Sequence, residues 1–481
     1  MSEIIFEALH SITTKNAMEY AAKAKEHPIG IVMGALGLLA FHAIHKSVDD
    51  LWTADPRAIY EVLVKEVEYF HQSPNFALLN ATAERWMEVL VGETLINTHV
   101  VPTLGAIVDH LERIFRSKVQ EAGQPSTTID VYHWCHYVGL EMIGQAGMGH
   151  SFRLMEGEEP PYIKAAGQLF STMFAAWYIR PFLPLLVKMG PKRFQRFVVG
   201  HTPVQIVQQL KNISDVMDNE GVRLLRSKQE AAANGTLYAQ VAAGKDIMTL
   251  LLEQNKVMPP EEQMSEAELA AQVNGAAARI IHLLAIHQDI QATLRNEISE
   301  AFEAHGSDLD YDQLGSLRYL DAICRETLRL FPPYPIKSKD RKTMITEVTV
   351  QKGTNVYVSL AAPNRNKAVW GEDADEFKPS RWLGELPSEA VALILYGYLT
   401  ADVLLEQRMT FGGGSHACIG FKFTQIEIKV IITKLVNSFK FEPASGTRVN
   451  WESDGVVKPY AYSPDGTKSP THSMPLKVSL V

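Results

Sequence analysis

Apolar residues recur three and four positions apart through most of the chain between Asp55 and Phe331, in stretches such as VVPTLGAIVDHLERIF and AAARIIHLLAIHQDIQATLRNEISEAF. That spacing gathers apolar side chains into one stripe along a helix, and such stripes are buried by packing helix against helix. After Pro332 and Pro333 the pattern changes to short β-like runs, EVTVQKG and TNVYVSL, with Gly353 turning between them, and helical text returns from Phe421 to Phe439. The expectation is a mainly α fold with small β-sheets. No internal repeat, low-complexity tract or strong linker divides it, so the layout reads as an N-terminal segment over 1–46 and a single domain over 47–481.

Composition narrows the function classes. The chain has 481 residues, 46% hydrophobic and 21% charged, the balance of a globular protein with a sizeable core. Its 46 Lys and Arg against 55 Asp and Glu leave a net charge of −9, which gives no global electrostatic case for a nucleic-acid partner. Three cysteines, Cys135, Cys324 and Cys418, are too few and odd in number for a disulfide framework. Near the N-terminus, IGIVMGALGLLAFHAI over 29–44 follows Lys15, Lys23 and Lys25. It falls short of the roughly 20 residues of a typical span, so a signal-anchor, an interfacial helix and a buried helix all fit it. If it inserts, the preceding positive charges keep the bulk of the chain on the cytoplasmic side.

The sharpest local feature is Phe411-Gly412-Gly413-Gly414-Ser415-His416-Ala417-Cys418-Ile419-Gly420, which runs straight into amphipathic text from Phe421. A cysteine in a glycine-rich loop at a helix N-terminus has its thiolate stabilised by the helix dipole and by free backbone N–H groups, and the thiolate is the form that binds metal. The glycines allow close approach of backbone to a flat cofactor, and Phe411 can shield the sulfur. Two other readings stay open on these residues alone: a phosphate cradle, which lacks the Lys-Ser/Thr of a P-loop, and a small core cysteine. Upstream, Glu326 and Arg329 stand three apart in DAICRETLRLFPP, which puts carboxylate and guanidinium on one helical face; most such pairs are solvated. Between the two lies Phe377-Lys378-Pro379-Ser380-Arg381-Trp382, which on its own is an ordinary proline-containing loop.

Taken in order, Glu-x-x-Arg, Phe-x-Pro-x-Arg-Trp and Phe-x-x-Gly-x-His-x-Cys-x-Gly resemble the haem-thiolate cytochrome P-450 family, particularly its fungal microsomal members. The likeness extends in patches through LWTADPRAIYEVLVK, IDVYHWCHYVGLEMIGQAGMGHSF, GKDIMTLLLEQNK and the segment from Leu317 to Trp382. The resemblance implies a P-450-like haem-thiolate fold over 47–481 with haem b held by Cys418 as axial thiolate. It implies that Phe411, Gly414, His416 and Gly420 shape the cofactor loop, with His416 facing a haem propionate. It implies a buried charge network of Glu326, Arg329 and Arg381 that holds that loop. The activity implied is insertion of one oxygen atom from dioxygen into an apolar small-molecule substrate, with NADPH-derived electrons arriving through a reductase. The setting implied is the cytoplasmic face of the endoplasmic reticulum membrane, in fungal secondary metabolism. Lys422 and Lys429 are then either contacts for an acidic redox partner or solvated helix charges. His133, Cys135 and His136 fall on an ordinary helix and read as structural or exposed.

The sequence also departs from the family pattern. The central-helix block with its acid and alcohol, which relays protons to bound oxygen, is absent where SEAELAAQVN passes through Gly275 into AAARIIHLL. GETLINTHVVP lacks the basic pattern expected to reach a propionate, and little separates PPYPIKSKD from RKTMITEVTV. A second expectation therefore stands beside the monooxygenase: a haem-binding pseudoenzyme, or a shortened isoform or gene product without the oxygen-activating motif.

Overall fold

The computed structural model describes residues 51–53, 58, 62, 100–147, 149–157, 159–176, 179, 190–234, 274–332, 356–359, 361–386, 421–454 and 456–481. The anchor candidate at 29–44, the cysteine loop 411–420 and the text 235–273 lie outside them. Two compact units divide the chain. The smaller gathers 1–51, 176–201 and 345–355, and the larger holds the rest.

In chain order the described elements are β1 (Leu51–Thr53), α1 (Val101–Glu121), β2 (Ser126–Asp130), α2 (Val131–Met142), α3 (Pro161–Ala175), α4 (Lys192–His201), α5 (Gln205–Ala233), α6 (Asn274–Ile286), α7 (Gln288–His305), α8 (Tyr311–Ser316), α9 (Arg318–Leu330), β3 (Val356–Val358), α10 (Lys367–Trp370), α11 (Phe421–Ser438), β4 (Phe439–Pro443), β5 (Arg448–Asp454), β6 (Val456–Tyr462) and β7 (Pro475–Leu480). The helical text expected to run to Phe439 ends one residue earlier, and Phe439 begins a strand. Of the smaller unit the described element is α4, which leaves Phe194 and Phe197 exposed.

The main core of the larger unit is built from helical stripes. On α1, Leu104, Ile107, Val108, Leu111, Phe115 and Val119 recur at three- and four-residue spacing and are buried, and Pro102 occupies the first turn, where its missing N–H costs nothing. They meet buried residues of α2, α6, α7, α9 and α11 in one cluster. Asp130 ties the next step together: its carboxylate caps α2 at the His133 amide (3.3 Å) and accepts from Ser473 Oγ (2.7 Å) and the Met474 amide (2.9 Å). Beside it β2, β7 and β4 form a three-stranded antiparallel sheet in which Ile129 pairs with Leu476 and Phe441 with Val478. A second cluster joins Tyr162, Ile163 and Ala166 of α3 to Ile213 and Met217 of α5. Gly144, just after α2, is required by packing, since a Cβ there would stand 2.7 Å from the His150 carbonyl oxygen and the Phe152 ring.

The C-terminal end of α11 is clamped to α7. The Gln291 amide donates to the Phe441 carbonyl (2.9 Å) and accepts from the Phe441 N–H (3.0 Å), while Arg295 donates to the carbonyls of Val436 and Phe439 at 2.9 Å each. These bonds fix the C-terminal end of α11 and the start of β4 to α7. No helix among the described residues is long and apolar enough to cross a membrane.

Candidate functional site

The helix α9 carries the charge pair. Its stripe of Leu320, Ile323, Leu328 and Leu330 goes into the core, and Glu326 and Arg329 are drawn in with it, at 0% and 3% exposure. Burial of that depth is costly unless the polar atoms find partners. Arg329 donates from Nε to Glu326 Oε2 and from Nη2 to Oε1, both at 2.8 Å, a two-pronged pairing. Its Nη1 donates to the carbonyls of Asn364 and Ala374 at 2.6 Å each, and Nη2 also reaches the Glu376 carbonyl at 3.3 Å. All five guanidinium donors are thus placed. The carboxylate of Glu326 accepts in turn from the Lys378 amide (3.0 Å) and from Trp382 Nε1 (2.9 Å), with Arg381 Nε 3.5 Å away.

Arg381 faces two ways. Its Nε stands near Glu326 without a hydrogen bond, while its Nη atoms donate to Asp373 Oδ1 (2.9 Å) and to the backbone carbonyls of Trp370 (2.9 Å) and Asp373 (3.0 Å). The structure thus brings Glu326, Arg329 and Arg381 together and adds three groups that the sequence reading did not assign: Trp382 as a donor to Glu326, Asp373 as a second carboxylate, and Trp370, whose ring lies 5.0 Å from the Arg329 guanidinium. The Phe-x-Pro-x-Arg-Trp text marked where to look but not that its last residue bonds to α9. Hydrogen bonds from Lys378 and Arg381 hold the Asp373 carboxyl down at about 2. Because that value lies below the ordinary 3.8, the stabilisation is present above pH 3.8 and is lost as pH falls through about 2. Asp373→Asn is expected to lower unfolding free energy by about 0.5–1 kcal/mol at pH 7, a half-exposed pair being screened, with the difference from wild type vanishing in acid; chemical denaturation at both pH values measures it.

The thiol inventory singles out one cysteine. Cys135 and Cys324 are buried in the main core, and burial pushes the Cys135 thiol up to about 12, far from the thiolate that ligates metal. His136 beside it is held neutral by burial, its value lowered to about 4, and His133 is exposed, its ring lying against Tyr137. No cluster of His, Cys, Asp and Glu with metal-holding geometry occurs among the described residues. Cys418 stands in the sequence three positions before the first described residue of α11, Phe421. Phe411, Gly414, His416, Cys418 and Gly420 themselves fall outside the described residues.

On α11, Lys429 is not a free surface charge: it pairs with Asp321 (3.4 Å) and donates to the Leu314 carbonyl (3.4 Å). Lys422 is half-buried. Glu427 is completely buried with neither carboxylate oxygen bonded, and burial pushes its carboxyl well above the ordinary 4.5. The sign follows: the folded state holds a proton that the unfolded chain gives up, so this group's contribution is full below pH 4.5 and is lost as pH rises toward the folded value. Glu427→Gln keeps the shape without the titration, so its melting temperature is expected to exceed wild type's by a margin that widens by several degrees between pH 5 and pH 8; parallel melts of equal offset would contradict this. α6 opens Asn-Gly-Ala-Ala-Ala-Arg and contains no Asp, Glu, Ser or Thr over its described residues 274–286.

Comparisons with known proteins show what the chain is similar to. The family model for cytochrome P450 matches residues 51–462. Cytochrome P450 monooxygenase 212 of Postia placenta is 33% identical over 484 aligned residues, spanning 89% of this chain and 84% of that one. Ganoderic acid synthetase CYP5150L8 of Ganoderma lucidum is 34% identical, spanning 88% and 84%. Among solved structures, the crystal structure of a cytochrome P450, CYP102L1, covers 89% of this chain and 92% of its own with a TM-score of 0.59 at 19% identity, a likeness of fold.

Proposed function

Because the chain belongs to the cytochrome P450 family, we propose that it works as a haem-thiolate monooxygenase, transferring one oxygen atom from dioxygen to an apolar organic substrate with NADPH-derived electrons supplied by a reductase. The observation that carries the reading is the buried charge network of Glu326, Arg329 and Arg381, which cross-ties α9 to residues 364–382. The donor set suits haem: two of the three thiols are core residues, and the third precedes a helix N-terminus.

In this reading Cys418 holds the iron, Phe411 shields the sulfur, Gly414 and Gly420 let the backbone close on the cofactor, and His416 faces a propionate. Haem, when bound, supplies the redox centre for oxygen transfer, and a thiolate ligand pushes electron density toward it. Glu326, Arg329 and Arg381 fix the backbone against which the cysteine loop is set, while the clamp from Gln291 and Arg295 holds α11 at its far end. The reductase docks through basic surface charge, for which Lys422 is a better candidate than the paired Lys429. Residues 29–44 attach the protein to the cytoplasmic face of the endoplasmic reticulum membrane.

A second reading, a haem-binding pseudoenzyme, is favoured by one feature: among its described residues, 274–286, α6 has no carboxyl or hydroxyl side chain to relay protons. One experiment separates the two. The carbon monoxide difference spectrum of the reduced, haem-supplied protein is followed by NADPH consumption with a reductase and an apolar substrate panel. A thiolate-type Soret band with coupled product formation supports the monooxygenase; the band without product leaves the pseudoenzyme; absence of the band overturns both.

A further inference from the structure

Two arginines in this fold, Arg329 buried and Arg279 partly buried, are treated in opposite ways. Arg329 has an acceptor for each of its five N–H groups. Arg279, in the second turn of α6, has none among the described residues, and its Nε is fully buried without a partner. Its guanidinium lies 3.7 Å from the ring centre of Phe331, at the end of α9, and 4.6 Å from that of Trp451 in β5.

Among the described residues no counter-charge stands beside it. The charged neighbour it feels is another cation, Arg365, whose guanidinium stands 5.5 Å over the same Phe331 ring. Arg365 is already committed, to Asp375 (2.8 Å) and to the Leu330 carbonyl (2.8 Å). His282, one turn on, accepts a hydrogen bond from the Trp451 indole N–H (2.9 Å) and is kept neutral by burial, so it neither adds a negative charge nor frees the indole to move. Burial and Arg365 together lower the guanidinium to about 9, which leaves it charged at neutral pH. An uncompensated buried cation is costly, and ring contacts recover only part of that cost because they leave the in-plane N–H edge unused. A carboxylate meets that edge with two parallel hydrogen bonds, and the aromatic walls of Phe331 and Trp451 suit an apolar body attached to it.

We propose that Arg279, walled by Phe331 and Trp451, is a carboxylate-recognition site, and that the substrate of this protein is an apolar organic acid. The word substrate rests on the monooxygenase reading; the binding does not. The test uses the full-length protein and two matched pairs of probes, lauric acid with methyl laurate and abietic acid with methyl abietate, titrated against tryptophan fluorescence. Charge-assisted hydrogen bonds of this kind are worth about 1.5–3 kcal/mol, so wild type is expected to favour the acid over its ester about ten-fold or more in at least one pair. Arg279→Met is expected to erase the preference while melting at the same temperature as wild type or higher, since it removes an unpaired buried charge, and Arg279→Lys to keep part of it. Equal affinity for acid and ester, or binding of neither member of both pairs, overturns the proposal. So does an Arg279→Met protein that melts lower with its acid preference intact, which makes the residue a structural tie. Loss of haem from that variant at an unchanged acid-to-ester ratio overturns it as well, by giving the guanidinium to a propionate. A carbon monoxide difference spectrum on the same samples tests the monooxygenase reading separately, because its failure leaves the fluorescence ratio readable.

Discussion

Replacing Glu326 by Gln is expected to destabilise the protein by about 3–5 kcal/mol, a large part of the stability of an ordinary domain. The argument is one of asymmetry. Glu326 and Arg329 are both sealed from water, and their attraction offsets a desolvation cost of several kcal/mol per ion only while both are charged and bonded. With the carboxylate gone, Arg329 keeps its bonds to the carbonyls of Asn364, Ala374 and Glu376 but loses its counter-ion, and the amide presents hydrogen atoms where the Lys378 amide and Trp382 indole also donate. Arg329→Lys is expected to be nearly as damaging, because an ammonium cannot span five acceptors in a plane. Arg381→Gln should cost clearly less, since Arg381 sits at the rim at 10% exposure and shares its charge with Asp373. Urea unfolding midpoints order the three variants, and an unchanged midpoint for Glu326→Gln would remove the network from the account of the fold. Under the proposed function the same variant should also retain less haem.

The sequence made part of this visible. Spacing alone placed Glu326 and Arg329 on one helical face, and the apolar stripes announced α1, α6 and α11. Spacing did not reveal that the pair is buried, which only the family resemblance implied, because the groups that bury it, Asn364, Ala374, Trp370 and Trp382, arrive from some 35 to 56 positions downstream. Strands were harder for the same reason. β2 and β7 pair Ser126 with Ser479, and neither STTID nor PLKVSL advertises a partner more than three hundred residues away. Both strands of the β5–β6 hairpin escaped notice as well, although Trp451 on β5 proves to touch both His282 and Arg279. Arg279 itself reads in the text as one polar residue in an apolar helix; what sets it apart is that no acid among the described residues pairs with it. The cysteine loop was the reverse case, conspicuous as a string of residues and dependent on a family likeness for its role.

Changing Cys418 to Ser is expected to abolish the thiolate-type Soret band of the reduced carbon monoxide complex altogether. No other sulfur in the chain can take over. Cys135 is 1% exposed, with its thiol held protonated by burial, and Cys324 lies in the same core behind the Glu326 network. A serine hydroxyl is too weak an acid to serve as the electron-rich ligand, so whatever haem remains should show the band of a neutral-ligand complex. Stability should change little by comparison, because the clamp from Gln291 and Arg295 and the contacts of α11 with α1 do not involve the loop; circular dichroism and the melting temperature check that the variant is folded when its spectrum is read. Cys135→Ser and Cys324→Ser are expected to behave in the opposite way, keeping the band while losing stability through a polar group buried in apolar surroundings. A thiolate band that survives in Cys418→Ser would move the ligand elsewhere and remove the premise on which the proposed chemistry stands.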